Sequence, residues 1–299
     1  MARFLENAEA ELCLLHEELA SGGYQPKPFT QFRIRDPKPR TISCADFRDR
    51  VVHHALCDIC GPLIERRFIA DSYACRIGKG AHRAVLRAQH FSRRHRYYLK
   101  ADIRAFYDSV DVETAIGLVS HLFRERQVCD LWGKILRHPF PGQIFGKGLP
   151  IGSLTSQWCA NLYLDGLDHV VTEKWRADGY VRYMDDFVAW ADRKDDLWRI
   201  LERMVEWLKT ERSLKLKEKA TRVSPVIEGI PFLGMRVFPG CLRLQHKRLC
   251  RLRRLVAMRE REWAGGRIDA SALVASVQAS IGILRFWGLR GLVTTSVDV

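Results

Sequence analysis

Apolar positions in the first part of the chain fall at helical spacing. Leu5, Leu12, Leu15 and Leu19 predict one amphipathic opening helix, stopped by Gly22-Gly23. Over residues 48–69, Val51, Val52, Ala55, Leu56, Ile59 and Leu63 form a stripe that predicts a longer helix with that side in a core. Between the two, Phe32-Arg33-Ile34-Arg35 and Arg40-Thr41-Ile42 flank Asp36-Pro37-Lys38-Pro39, a hairpin by turn chemistry, although prolines weaken strand pairing. Cations at such a tip meet either phosphates or bulk water, and these residues alone leave both open. Gly78-Lys79-Gly80 follows as a flexible basic turn.

Further on, short apolar runs alternate with helical stripes. Tyr97-Tyr98-Leu99-Lys100-Ala101 reads as a strand ending in Asp102, and Asp111 is placed to cap a helix beginning Val112-Glu113-Thr114. A glycine-rich loop, residues 146–153, opens onto a helix through Leu154, Trp158, Leu162 and Leu167; its glycines permit close backbone approach to a ligand. Tyr180-Val181 and Phe187-Val188-Ala189-Trp190 then bracket a tight turn, Tyr183-Met184-Asp185-Asp186. Leu197, Ile200, Leu201, Met204, Val205 and Leu208 predict a helix after it. Leu214-Lys215-Leu216 reads as a short strand, and residues 231–237 as another strand or hairpin. The remainder is mostly helical, broken at Gly265-Gly266. The order predicts an α+β core followed by a basic helical appendage.

Composition narrows the function. A chain of 299 residues, 47% hydrophobic, can bury a substantial core as one large domain or several subdomains. The net charge of +14 points to an anionic partner such as nucleic acid, with solvated surface charge as the bland alternative. Its distribution favours a phosphate-tracking face: from residue 241 onward Arg243, Lys247, Arg248, Arg251, Arg253, Arg254 and further arginines face only Glu260, Glu262, Asp269 and Asp298. The nine cysteines lie scattered in apolar segments, as reduced thiols do; Cys57 and Cys60 are the one close pair, without zinc-finger company. Glu6, Glu9 and Glu11 interrupt any signal-peptide core, and no stretch approaches the ~18 apolar residues of a membrane span. A cytoplasmic location, with no membrane partner, is expected.

Two adjacent carboxylates in a hairpin repel one another unless they are solvated or a cation sits between them. A third carboxylate, Asp102, at the end of a neighbouring strand raises the case for a divalent metal. Magnesium takes one or two protein carboxylates and completes its shell with substrate oxygens. Asp102 and Asp185, supported by Asp186, suit the paired ions of nucleotidyl transfer.

The chain resembles the reverse transcriptases, in motifs that follow the family's order. Residues 100–111, KADIRAFYDSVD, resemble the motif bearing the first catalytic aspartate. Residues 148–161, GLPIGSLTSQWCAN, resemble the loop and helix that contact nucleotide and template, and Tyr183-Met184-Asp185-Asp186 the family's turn. Residues 214–219, LKLKEK, and 232–235, FLGM, are similar to the lysine-bearing and primer-grip motifs. The resemblance implies an α+β right-hand polymerase fold. Residues 1–96 would form an N-terminal helix and fingers, 97–111 the first catalytic strand of the palm, and 112–147 a helical insertion. Residues 148–240 would complete the palm, and 241–299 would form a basic helical thumb. It also implies two Mg2+ ions, with Mn2+ as a substitute, held at Asp102, Ile103, Asp185 and Asp186. Tyr107 would be the steric gate against a ribose 2′-hydroxyl. Arg40 and Arg35 would clamp the triphosphate, with Ile103, Ile151, Gly152 and Gln157 lining its site and Lys219 neutralising or protonating the pyrophosphate. Lys247, Arg248, Arg251 and Arg254 would track the template-primer backbone. Template RNA, the RNA-DNA hybrid and deoxynucleoside triphosphates are the implied partners.

Within the family, group II intron and retroviral enzymes usually carry Gln at the position of Ile151, and intron-like ones Pro at that of Gln157. The loop Ile151-Gly152-Ser153-Leu154-Thr155-Ser156-Gln157 resembles that of the diversity-generating retroelements. Those enzymes copy a template RNA with frequent errors at adenines and commonly work with a small accessory variability protein. Other readings stay open: a group II intron-like or retron-like enzyme of ordinary fidelity, an RNA-dependent RNA polymerase, and a catalytically idle RNA-binding or assembly protein. Tyr107 and the Tyr-Met before Asp185 argue against RNA synthesis. An intron maturase usually carries further segments after the thumb, and this sequence stops at Val299.

Overall fold

A computed structural model describes residues 2–35 and 39–286 of the chain. Helices α1 (Ala2–Glu6) and α2 (Ala8–Ala20) precede the hairpin of β1 (Thr30–Arg35) and β2 (Pro39–Cys44). Helices α3 (Phe47–Glu65) and α4 (Ala81–Ser92) lead to β3 (Tyr97–Asp102), followed by α5 (Phe106–Ser109), α6 (Val112–Ser120) and α7 (Arg126–Arg137). The long α8 (Leu154–His169) comes next, then β4 (Gly179–Tyr183), β5 (Asp186–Ala191) and α9 (Lys194–Arg212). Strands β6 (Arg222–Pro225), β7 (Ile230–Phe232), β8 (Met235–Val237) and β9 (Leu242–Leu244) follow, with α10 (His246–Ala264) and α11 (Ala270–Phe286) last.

Four strands in the order β4-β5-β3-β6, all antiparallel neighbours, make the central sheet. Strand periodicity sends successive side chains to opposite faces. Leu99, Ala101, Phe187, Ala189 and Ala191 join a core with α3, α6, α8 and α9, whereas Tyr98, Val188 and Trp190 join a second core with α4. That second core is covered by Ile230, Phe232, Met235 and Val237 of a separate β7-β8-β9 sheet. Burial on both faces explains why the central strands read as continuous apolar runs.

Several local expectations hold. The β1–β2 hairpin pairs as predicted, its tip at residues 36–38 lying outside the described residues, as do 287–299 of the expected thumb. Asp111 caps α6 through a 2.8 Å bond from the Thr114 amide. The break at Gly265-Gly266 separates α10 from α11.

Others change. The opening stripe is split at Asn7, and of its leucines Leu15 is buried while Leu5 and Leu12 are exposed. Helix α3 is capped by Asp46 and ends at Glu65, and its core side is Val52, Leu56, Cys57, Cys60 and Ile64; Ala55, Ile59 and Leu63 face outward. The composition of that stripe supports two apolar faces, and packing against α8 selected one. Leu214-Lys215-Leu216 forms only a single bridge, Leu216 to Ile103. Burial pushes the Cys57 thiol up to about 12, as in a packed core rather than a ligand. Among the described residues no helix is long and apolar enough to cross a membrane.

Candidate active site

Backbone pairing brings the three aspartates together. Asp102 ends β3 directly across from Asp186, which begins β5. Tyr183 pairs with Asp186, so Met184 and Asp185 form a two-residue turn, with Met184 at a φ of 57°. The Ile103 amide donates to the Asp185 carbonyl at 3.2 Å, which ties the turn to the end of β3. On the other side, the Lys217 amide donates to the Asp102 carbonyl at 2.8 Å.

Beneath the turn lies a buried polar network. Arg182 of β4, fully buried, holds Asp168 of α8 at 2.6 Å, the Asn161 side-chain oxygen at 3.0 Å and the Met184 carbonyl at 3.1 Å. Tyr180 donates to the same Asp168 at 2.8 Å. A buried guanidinium needs such partners, and here one of them is the backbone of the turn.

The carboxylates open onto a cleft of ≈ 590 Å³ lined by Arg40, Asp102, Ile103, Tyr107, Ile151, Gly152, Gln157, Met184, Asp185, Asp186, Lys217 and Leu233, among others. Strand β2 supplies one wall because the Ser43 amide donates to the Ile151 carbonyl at 2.9 Å. Gly152, with φ +114°, makes that docking possible: a Cβ there would stand 2.7 Å from Ile42 Cγ2. The Leu149 amide donates to the Tyr107 carbonyl at 2.8 Å, fastening the same loop to the chain after Asp102.

Electrostatics in the cleft are unbalanced. Burial and then the Asp102 charge push the Asp185 carboxyl above the usual range, while Lys100 and Arg40 pull it back. Lys100, buried two residues before Asp102, ion-pairs with Asp186. Burial lowers its pKa well below the ordinary lysine range against the Asp102 and Asp185 charges. Among the described residues no three His, Cys, Asp or Glu side chains form a ready cage for a metal ion. The donor set fits instead an ion that takes one or two carboxylates and borrows substrate oxygens. Asp102 and Asp185 are the side chains free to provide them, and the mutual repulsion recorded at Asp185 is what a dication relieves.

Of the residues singled out in the sequence, Asp102, Ile103, Asp185, Asp186, Arg40, Tyr107, Ile151, Gly152 and Gln157 meet in this cleft. Arg35, opposite Pro39 at the end of the hairpin, is not in its lining. Nor is Lys219, which is exposed on a short 3-10 turn; the lysine in the lining is Lys217. The α10 cations stand outside the cleft as well: Arg248 donates to the Leu233 carbonyl at 3.3 Å, and Lys247, Arg251 and Arg254 are exposed. Lys100, Arg182 and Lys217 escaped the sequence reading. Period-two alternation alone placed Lys100 on the face of Asp102, whereas Arg182 carried no signal until α8 was packed beside it.

Comparison with known proteins identifies the family and the fold. Residues 31–237 match the family model of the reverse transcriptase (RNA-dependent DNA polymerase). The group II intron-encoded protein LtrA of Lactococcus lactis subsp. cremoris is 25% identical over 173 residues, 56% of this chain and 29% of LtrA. Protein YkfC of Escherichia coli K12 is 26% identical over 174 residues, 54% of this chain and 46% of YkfC. The chain thus spans less than half the length of either relative. Among solved structures, apo telomerase from Candida tropicalis superposes with a TM-score of 0.56 at 10% identity, covering 74% of this chain and 49% of the telomerase. Telomerase from Candida albicans, in complex with a fragment of telomeric RNA, gives 0.52 at 11% identity, covering 90% and 56%. At such identities the likeness concerns the fold, and the α+β right-hand polymerase fold expected from the motifs is the fold observed. With the family model spanning the central sheet, the carboxylate turn and the cleft around them, the chain belongs to the reverse transcriptase family.

Proposed function

We propose that the chain is an RNA-directed DNA polymerase that extends a primer along a template RNA. The observation that supports it most is the convergence of Asp102, Asp185 and Asp186 with Arg40 and Tyr107 on one open cleft. Residues 97–111 and 148–240 act as the palm, 1–96 as an N-terminal helix and fingers, 112–147 as a helical insertion between fingers and palm, and 241–299 as the thumb. When bound, Mg2+ or Mn2+ supplies the Lewis acidity that activates the primer hydroxyl and stabilises the departing pyrophosphate. Asp102 and Asp185 with the Ile103 backbone would hold it, supported by Asp186. Arg40 presents a guanidinium fork to the triphosphate. Tyr107, wedged by its hydroxyl against Met184 sulfur at 3.7 Å, gives a rigid floor that rejects a 2′-hydroxyl. Lys217, in the cleft where Lys219 is not, serves the pyrophosphate.

The loop Ile151 to Gln157 supports a finer reading, that of a diversity-generating retroelement enzyme, error-prone at template adenines and assisted by a small accessory protein. An aliphatic Ile151 facing the nucleotide selects by shape alone, worth roughly 1–3 kcal/mol, where an amide adds geometry-dependent hydrogen bonds. The relative LtrA, a group II intron-encoded protein, favours a second reading, an intron-type enzyme of ordinary fidelity. Extension of a DNA primer on an RNA template, with product sequencing, tests both. Deoxynucleotide incorporation that depends on Mg2+ and is abolished in Asp185→Asn is expected; no incorporation by the parent protein would leave the RNA-binding, non-catalytic reading. Misincorporation opposite adenine should fall in Ile151→Gln, and an unchanged error spectrum favours the intron-type enzyme.

A further inference from the structure

The β7-β8-β9 sheet has a second face, turned away from the core. Met235 and Val237 of β8 are buried, so Arg236 between them points outward. Its direct cross-strand partner on β9 is Arg243, also exposed. Like charges directly opposite on neighbouring strands destabilise a sheet, and a three-stranded sheet of three-residue strands has little stability to spare. An anion shared between them reverses the sign of that interaction.

These arginines line a groove of ≈ 640 Å³ that also contains Arg222, Phe238 and Lys247. It shares no lining residue with the catalytic cleft. Glu228 is the one carboxylate in its lining, and what it gives Arg236 is its backbone carbonyl, at 3.0 and 2.7 Å. Among the described residues Arg222, Arg236, Arg243 and Lys247 have no carboxylate within ion-pair distance; Arg222 lies over the Tyr98 ring at 5.7 Å and Arg243 over Phe238 at 5.2 Å. Guanidinium groups held over aromatic rings are pre-ordered, which lowers the entropic cost of binding a ligand.

The first turn of α10 divides the two surfaces. Arg248 turns to the Leu233 carbonyl at the cleft, while Lys247 lines the groove. That turn has no acidic residue and no side-chain cap, so the positive end of the helix adds to the charge there. Lys247, Arg251 and Arg254, at i, i+4 and i+7, share one helix face and carry positive charge onward from the groove for about 10 Å.

We propose that this groove binds the phosphate backbone of a single-stranded RNA segment lying outside the copied hybrid. The inference rests on the reading of the chain as an RNA-copying polymerase. Paired guanidinium forks match phosphate oxygens in a bidentate way. A concave surface in which the Phe238 ring lines the groove with Arg243 over it suits unstacked bases better than a stacked duplex. An acidic protein segment would meet the same charge but has no use for the planar stacking surfaces.

The double variant Arg236→Gln/Arg243→Gln tests it, using two probes: a minimal RNA-DNA template-primer, and the same duplex carrying a long unpaired RNA extension. The variant should extend the minimal duplex as the parent does, which also reports that it is folded. It should bind the extended probe about tenfold more weakly, with a salt dependence shallower by about two units. Arg222→Gln, on another strand, should act in the same direction. Equal loss on both probes assigns the surface to the hybrid track, and no loss on either makes it a solvated face. Equal competition by polyglutamate makes it a protein-docking surface. Each of these three overturns the proposal. Failure of the parent to extend the minimal duplex counts against the polymerase reading instead, since RNA binding is measured separately.

Discussion

Lys217 and Lys219 show what two residues of offset mean in a site. Both are exposed, lie in one basic run and are indistinguishable by composition, yet the Lys217 amide is bonded to the Asp102 carbonyl and Lys217 is among the residues lining the cleft. Lys219 rides the exposed turn that follows. A general acid or charge neutraliser contributes about 10²-fold or more, so Lys217→Ala should lower single-nucleotide incorporation by about 10²-fold in a rapid-quench assay. Lys219→Ala should change it by no more than about twofold, as a surface substitution does. The reverse order would restore Lys219 to the role that motif spacing gave it. Asp185 and Asp186 were legible at this scale because sequence neighbours in a tight turn remain neighbours in space, whereas Asp102 reaches them through the pairing of β3 with β5.

Elements bring the rest of the site together. Loop 148–152 reaches the cleft because β2 docks on it, and Gly152 is where the backbones come closest. Gly152→Ala places a Cβ against Ile42 at an unfavourable φ, a strain of about 1–3 kcal/mol. The expected result is a KM for deoxynucleotide raised about tenfold with a melting temperature lowered by about 2–5 °C, read by steady-state extension and circular dichroism. Helix α8 supports the catalytic turn from below through Asp168 and Arg182, both fully buried. Arg182→Met leaves Asp168 buried without its main partner and should cost about 3–5 kcal/mol in urea denaturation. Asp168→Leu added to it should recover part of the loss, since the orphaned charge is then gone. No periodicity announces this pair; its partners are 14 residues apart, on a helix and a strand.

At the scale of the whole molecule, buried titratable groups couple folding to pH. His53 of α3 is buried beside the Ser153 hydroxyl, 3.3 Å away, and burial lowers its pKa to about 4. The unfolded chain, with an ordinary pKa of about 6.5, takes up the proton first as pH falls. Its contribution to stability is therefore full above pH about 6.5 and is lost as pH drops toward about 4, by at most about 3 kcal/mol. Denaturation midpoints of His53→Asn should decline less steeply than those of the parent across this window; parallel curves would show that the histidine is hydrated. The net charge of +14 is also a whole-molecule property, and the fold does not spread it evenly: the outer groove gathers Arg222, Arg236, Arg243 and Lys247 against Glu228, whereas the cleft lining sets Arg40 and Lys217 against Asp102, Asp108, Asp185 and Asp186.

The sequence by itself determined the family and the local elements. Adjacent aspartates in a hairpin, a capped α6 and the short apolar runs of the strands depend on contacts within a few residues, and short-range physics writes those into the residue order. The tertiary structure decided which of two apolar sides of α3 is buried, which lysine enters the cleft and why Arg182 is needed. It also set Arg236 against Arg243 on the outer face of a sheet. Each of these depends on groups distant in the chain meeting at distances where burial and charge act strongly. No spacing along the chain records such a meeting before the elements have packed.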